Sequence, residues 1–195
     1  MGGGKTVKKG RFLFENFLLV STCFFFLQLP LEALDWPQWR YDSYRSGATP
    51  EVLPAKLELL WFRKFERRVP AWEDPLNRDL MPFDRCFEPI VVGKSLILEF
   101  NDSDKVIALD TESGKLLWKF YAEGPIRLPP ASWRDNVFIA SDDGFLYCLS
   151  AESGKLKWRF QAAPLNRRIL GNKRLISTWP CRGGPVVLED TVYVA

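Results

Sequence analysis

The chain has 195 residues, 47% hydrophobic and 14% aromatic, with 27 Lys and Arg against 24 Asp and Glu and a formal net charge of +3. That is enough apolar material for one substantial core and too little charge for a polyanion-binding surface, so no nucleic-acid partner is expected. Histidine is absent, which excludes imidazole general bases, Ser-His-Asp triads and His-ligated metals.

Residues 1–33 differ from the rest. Lys5, Lys8, Lys9 and Arg11 form a basic start, residues 17–27 an apolar run, and Pro30 a helix stop before Leu31-Glu32-Ala33. This order predicts a secretory signal peptide cut after Ala33, and hence a periplasmic or secreted protein with no membrane span once the signal is removed. Retention as an uncleaved anchor stays open, because Leu31 is larger than the residue usual at such a site. Cleavage removes four basic and two acidic residues, leaving 23 against 22. Cys86, Cys148 and Cys181 then remain, an odd number with no CxxC pair and no pairing to be read from spacing.

Residues 34–65 end in an apolar strand pattern around Trp61 and are read as a closing-strand segment. An insertion rich in Arg, Pro and Asp follows at 66–84. Two units, 85–122 and 123–163, then repeat each other. Residues 108–120, Ala-Leu-Asp-Thr-Glu-Ser-Gly-Lys-Leu-Leu-Trp-Lys-Phe, return forty positions later as residues 148–160, Cys-Leu-Ser-Ala-Glu-Ser-Gly-Lys-Leu-Lys-Trp-Arg-Phe. Leu116, Trp118 and Phe120 alternate with Leu117 and Lys119, the period of a half-buried strand. The same phase points Trp118 and Trp158 toward a core. Gly114 and Gly154 supply the tight turn of a hairpin with a bulge.

Upstream strands are read at residues 106–109 and 145–149, at 96–100 and 137–140, and after Pro89 and Pro130. A second insertion, 164–180, is read as loop. A third unit opens at 181–195, after Pro185. Short strands at a period of about 40 residues, with no helical pattern, predict an all-β fold: a β-propeller of four-stranded blades, incomplete in this chain. Propellers use roughly four to eight blades, so the chain is expected to be the N-terminal part of a longer array.

The Ala-Leu-Asp-x-x-x-Gly-Lys-x-x-Trp run at 108–118 resembles the repeat of pyrroloquinoline-quinone-like propellers. That superfamily includes quinoprotein alcohol dehydrogenases and a lipoprotein of the bacterial outer-membrane assembly machinery. Asp35-Trp36-Pro37-Gln38-Trp39-Arg40 resembles the mature start of exported propellers of planctomycete-type bacteria, and the likeness extends over residues 35–195. It implies a fold more than a chemistry, since the motif encodes a blade. It also implies that each repeat Trp packs on the neighbouring blade. For the dehydrogenases it implies a vicinal disulfide, calcium and a catalytic Asp around the quinone; no Cys-Cys pair and no Asp in a matching motif occurs here.

The candidate ligand residues are arginines ahead of the strand-opening prolines: Arg85, Arg127 and Arg182. On a propeller these loops ring one mouth of the central channel, where three guanidinium groups suit a carboxylate or phosphate. The competing reading ties each Arg to a local acid. Trp72 and Trp179 lie in the insertions and are read as exposed contacts. Asp102/Asp104 and Asp142/Asp143 lack a calcium-loop spacing and read as turn chemistry, so no metal is expected. The expectation is an exported non-catalytic scaffold without a cofactor, binding envelope proteins or an anionic small molecule. The alternative is the N-terminal part of an oxidoreductase using pyrroloquinoline quinone and calcium.

Overall fold

Strands form where the apolar alternation runs, and the turns fall at the Gly, Asp and Ser clusters between them. The computed structural model describes residues 34–66, 88–171 and 174–195, all within one compact unit, Leu34–Ala195. The first blade is β1 (Ile90–Val92), β2 (Ser95–Phe100), β3 (Lys105–Asp110) and β4 (Leu116–Tyr121). The second is β5 (Ala131–Trp133), β6 (Asn136–Ala140), β7 (Phe145–Ser150) and β8 (Leu156–Gln161). Each is an antiparallel sheet in sequential order. A hairpin, β9 (Arg168–Gly171) with β10 (Arg174–Ser177), fills the second insertion, and β11 (Val186–Leu188) pairs with β12 (Thr191–Tyr193) to open a third blade. The fold is all-β, a partial propeller. The predicted bulges are present, between Ala108 and Leu109 and between Cys148 and Leu149.

The middle strands are buried on both faces. Phe145, Tyr147 and Leu149 of β7 pack toward the first blade, against Ile97, Val106 and Trp118. Leu146 and Cys148 face the other way, toward Val187 of the third blade. Period-2 alternation between two cores explains why this strand is apolar throughout.

Two tryptophans each lock one strand set to the blade that follows. The Trp118 indole donates Nε1–H to the Ala151 carbonyl at 2.9 Å, and its ring lies over Gly154, where a Cβ would come within 2.5 Å. Trp61 does the same one blade earlier, donating to the Thr111 carbonyl at 2.8 Å and covering Gly114. Trp158 departs from its expected buried phase. It holds the same register place opposite Cys148 yet is 43% exposed, because among the described residues no hairpin turn lies over its ring.

Asp35–Gln38 runs along the innermost strands of all three blades. Trp36 exchanges both main-chain bonds with Val91 at 2.9 Å; the Pro37 carbonyl accepts from Ser132 N–H at 2.7 Å and from its hydroxyl at 2.9 Å. The Gln38 side chain accepts from Val187 N–H at 3.0 Å and donates to the Val187 carbonyl at 3.2 Å. Residues 36, 37 and 38 therefore tie β1, β5 and β11 in turn. Gln38 is buried, so Gln38→Ala strands two main-chain groups and is expected to cost about 2–6 kcal/mol, at about 1–3 kcal/mol per orphaned group. Hydrogen exchange reads it directly: the Val187 amide loses protection while Ile97 in the first blade keeps its own.

Candidate functional site

The β2–β3 turn, the β6–β7 turn and the strand-4-to-strand-1 connections all gather at one end of the blades. Main-chain bonds set this: Ala122 N–H to Asp104 O at 2.8 Å, Asp142 N–H to Pro125 O at 2.8 Å, Cys181 N–H to Ser141 O at 3.1 Å and Ser177 N–H to Asp142 O at 2.8 Å. The last brings the β9–β10 hairpin over the β6–β7 turn.

Two of the arginines singled out from sequence meet here on one carboxylate. Arg127 Nε donates to Asp142 Oδ2 at 2.6 Å and Arg182 Nε to Asp142 Oδ1 at 3.3 Å. The Asp142 side chain is 1% exposed, that of Arg127 10% and that of Arg182 49%. The two guanidinium groups share one buried carboxylate, and among the described residues nothing bonds the terminal nitrogens of Arg182. Arg85, the third member of the predicted ring, and Trp72 lie outside the described residues. Trp179 is 46% exposed, at the far end of the hairpin from its turn.

Neighbouring acids are tied internally. Asp143 accepts from the Tyr147 hydroxyl at 2.5 Å, Glu123 N–H at 3.0 Å and Phe145 N–H at 2.9 Å. Burial, with Asp143 beside it, raises the Tyr147 phenol far above its ordinary range. Burial, then Asp143 and Asp142, pushes the Cys181 thiol up to about 11, so it stays a neutral thiol at pH 7. Glu123 bridges Arg159 (2.9 Å) and Arg168; these two bonds hold its carboxyl below the usual range.

Arg174 of β10 reaches back to the first blade, donating to the Asn101 carbonyl at 2.8 Å and to Asp104. Sequence reasoning read this stretch as loop and missed the hairpin. The signal was available in Ile169-Leu170-Gly171 and Leu175-Ile176, two apolar pairs flanking a Gly-Asn dipeptide in the sequence.

Despite its arginine, Asp104 is raised above the ordinary carboxylate value: burial outweighs Arg174, and Asp143, Asp102 and Asp142 add to it. Its Oδ1 and both polar atoms of the Asn101 side chain are buried without a bonding partner among the described residues. The native state therefore holds the Asp104 proton more tightly than the unfolded chain, and this group costs stability at neutral pH. That cost is relieved as pH falls through the raised value. Asp104→Asn keeps an acceptor for Arg174 and removes the buried charge, so its stability at pH 7 is expected to match or exceed the parent's. In urea melts from pH 7 down to pH 4, the variant should gain less than the parent on acidification.

The quinone donor set implied by resemblance is not met by the described residues. Cys148 and Cys181 are free, buried and far from adjacent in sequence, while Asp142 and Asp143 are engaged as above, so no chemistry through a quinone is derived. Among the described residues no helix is long and apolar enough to cross a membrane.

No curated protein matches the chain. It is similar to the quinohemoprotein alcohol dehydrogenase of Comamonas testosteroni (19% identity, TM-score 0.49, covering 83% of this chain and 23% of that one). It is also similar to a europium-containing methanol dehydrogenase (20%, 0.43, 53% and 19%) and to BamB of Moraxella catarrhalis (18%, 0.36, 53% and 44%). The chain thus spans less than half the length of each of these structures. The family model described as outer membrane protein assembly factor BamB matches residues 59–195, from the first interblade tryptophan through both blades to the third. The chain belongs to the family of the outer membrane protein assembly factor BamB.

Proposed function

We propose that this protein is an exported, non-catalytic propeller that binds or scaffolds in the bacterial envelope, with Arg127 and Arg182, joined by Arg85, gripping an anionic group at the channel mouth. The observation that carries the reading is the shared carboxylate. Asp142 takes Nε from both arginines and holds their planes in place, while Arg182 stays half exposed with its terminal nitrogens available for a second, bidentate contact. Support for export comes from the basic and apolar pattern of residues 1–33. Membership in a family described as an assembly factor supports a protein partner, one that presents an Asp, Glu or C-terminal carboxylate to the mouth.

Calorimetric titration with citrate and with an acidic hexapeptide tests it. Binding of either is expected, with a loss of at least about tenfold, or 1.4 kcal/mol, in Arg182→Met. Equal affinity in the variant, or no binding of either probe, would refute the anion-site reading.

A further inference from the structure

The second insertion breaks the forty-residue period, and its charge is one-sided. Residues 164–180 hold Arg167, Arg168, Lys173 and Arg174 and no acid. The β9–β10 hairpin they build is anchored at three points. Ser177 N–H bonds to the Asp142 carbonyl at 2.8 Å, Arg174 donates to the Asn101 carbonyl at 2.8 Å and to Asp104, and Arg168 pairs with Glu123. Through Ser177 the outer edge of β10 lies against the β6–β7 turn, and β9 is left with the free edge.

Register sets which main-chain groups that edge presents. Bonded and non-bonded pairs alternate along an antiparallel ladder. Thr178 N–H donates to the Arg167 carbonyl at 2.9 Å, so alternation makes Ile169 and Ile176 a bonded pair as well. Arg168 and Ser177, and Leu170 and Leu175, are then the non-bonded pairs. The outward Ser177 N–H, taken by Asp142, agrees with this. The N–H and C=O groups of Arg168 and Leu170 therefore point out of the β9 edge, and among the described residues nothing bonds them.

Side chains mark the same edge. Leu170 and Leu175, opposite each other in the register, are 76% and 58% exposed. An apolar pair beside a formed, unpaired strand edge marks an interaction site where a single exposed leucine does not. Period 2 puts Leu170 on one face of β9 and Arg167 on the other. Arg167 is exposed with no acid bonded to it among the described residues, while Arg159 and Arg168 share the one carboxylate of Glu123. Charge thus favours an acidic partner over a basic one. The residues between Leu170 and Leu175, Gly-Asn-Lys-Arg, carry two cations that a bilayer interior disfavours, so a strand fits this edge better than a lipid surface. We infer that the β9 edge takes an extended segment of another protein, alternating apolar and acidic residues, as an added strand. Its main chain pairs with Arg168 and Leu170, its apolar side chains extend the Leu175–Leu170 row, and its carboxylates meet Arg167 on the opposite face. The edge shares no residue with the arginine pair and goes beyond the anion reading.

Calorimetric titration of the whole protein with the end-blocked peptide Asp-Val-Glu-Val-Asp-Val-Glu tests this. The peptide is expected to bind with a Kd of roughly 10 μM to 1 mM. It should also slow hydrogen exchange of the Arg168 and Leu170 amides at least about tenfold while leaving Ile97 unchanged. Leu170→Asp and Arg167→Glu alter exposed side chains, so both keep the fold, and each should weaken binding at least about tenfold. Neither should alter the response to citrate, which separates this edge from the channel mouth. The inference is overturned if the peptide does not bind, or if Leu170→Asp binds it as the parent does. Equal binding of a fully N-methylated copy, or of a copy with lysine in place of the acids, overturns it too, as does loss of the peptide in Arg182→Met but not in Leu170→Asp. Without peptide binding, Leu170-dependent self-association in sedimentation gives the edge to a second copy. Leu170-dependent binding to phosphatidylcholine–phosphatidylglycerol vesicles, again without peptide binding, gives it to a lipid surface, and either result overturns the inference.

Discussion

Gly154→Ala is expected to be among the most destabilising single-methyl changes available to this protein, costing about 3 kcal/mol. Two effects add. Gly154 sits at φ 65°, where an L-residue pays about 1–2 kcal/mol. Its new Cβ would also lie 2.5 Å from the Trp118 ring, and overpacking of this kind costs about 1–3 kcal/mol. The ring cannot simply withdraw, because its Nε1–H is bonded to the Ala151 carbonyl at 2.9 Å and the indole is only 7% exposed. Relief must come from separating the two blades. Gly93→Ala is the control: φ is 53°, but nothing lies within 4 Å of its Cβ, so only the backbone cost of about 1–2 kcal/mol is expected. Urea denaturation of the pair, read by tryptophan fluorescence, decides between a docking role and a turn role for Gly154. Equal losses in the two variants would mean that the tryptophan lock contributes nothing beyond the turn.

That lock also divides what is legible in the sequence from what is not. The forty-residue echo locates the turns and strands because each local feature, alternation in β4 and β8 and a glycine after Glu-Ser, is set within a few residues. The Trp158 environment is not legible: its strand phase is local, but its burial depends on what lies across it. The same holds for the strap. Nothing in Trp36-Pro37-Gln38 announces that three consecutive residues bond to Val91, Ser132 and Val187, at separations of up to 149 residues. Arg127 and Arg182 stand out by their offset from the strand-opening prolines, and they do converge. Asp142, which reads as an ordinary turn acid, is what joins them. A turn acid and a buried ion-pair partner have the same one-dimensional signature, and only the stacking of blades distinguishes them.

Asp142 is accordingly the position where fold and candidate site can be separated. Asp142→Ala removes a carboxylate that is 1% exposed and strips both guanidinium groups of it. Breaking a buried pair from one side typically costs about 3–5 kcal/mol, and that range is expected here. Arg182→Met is expected to cost no more than about 1 kcal/mol, because the Arg182 side chain is half exposed and solvent screens its contact. Asp142→Asn, which keeps the shape and one acceptor, should fall between them. The ordering matters more than the values. A fully structural triad would make Arg182→Met nearly as damaging as Asp142→Ala, and its terminal nitrogens would then have no role outside the fold. If Arg182→Met leaves the urea midpoint nearly unchanged yet abolishes citrate binding, the two faces of the guanidinium have different roles. Nε is anchored by Asp142, and the outer edge is left for a partner's carboxylate.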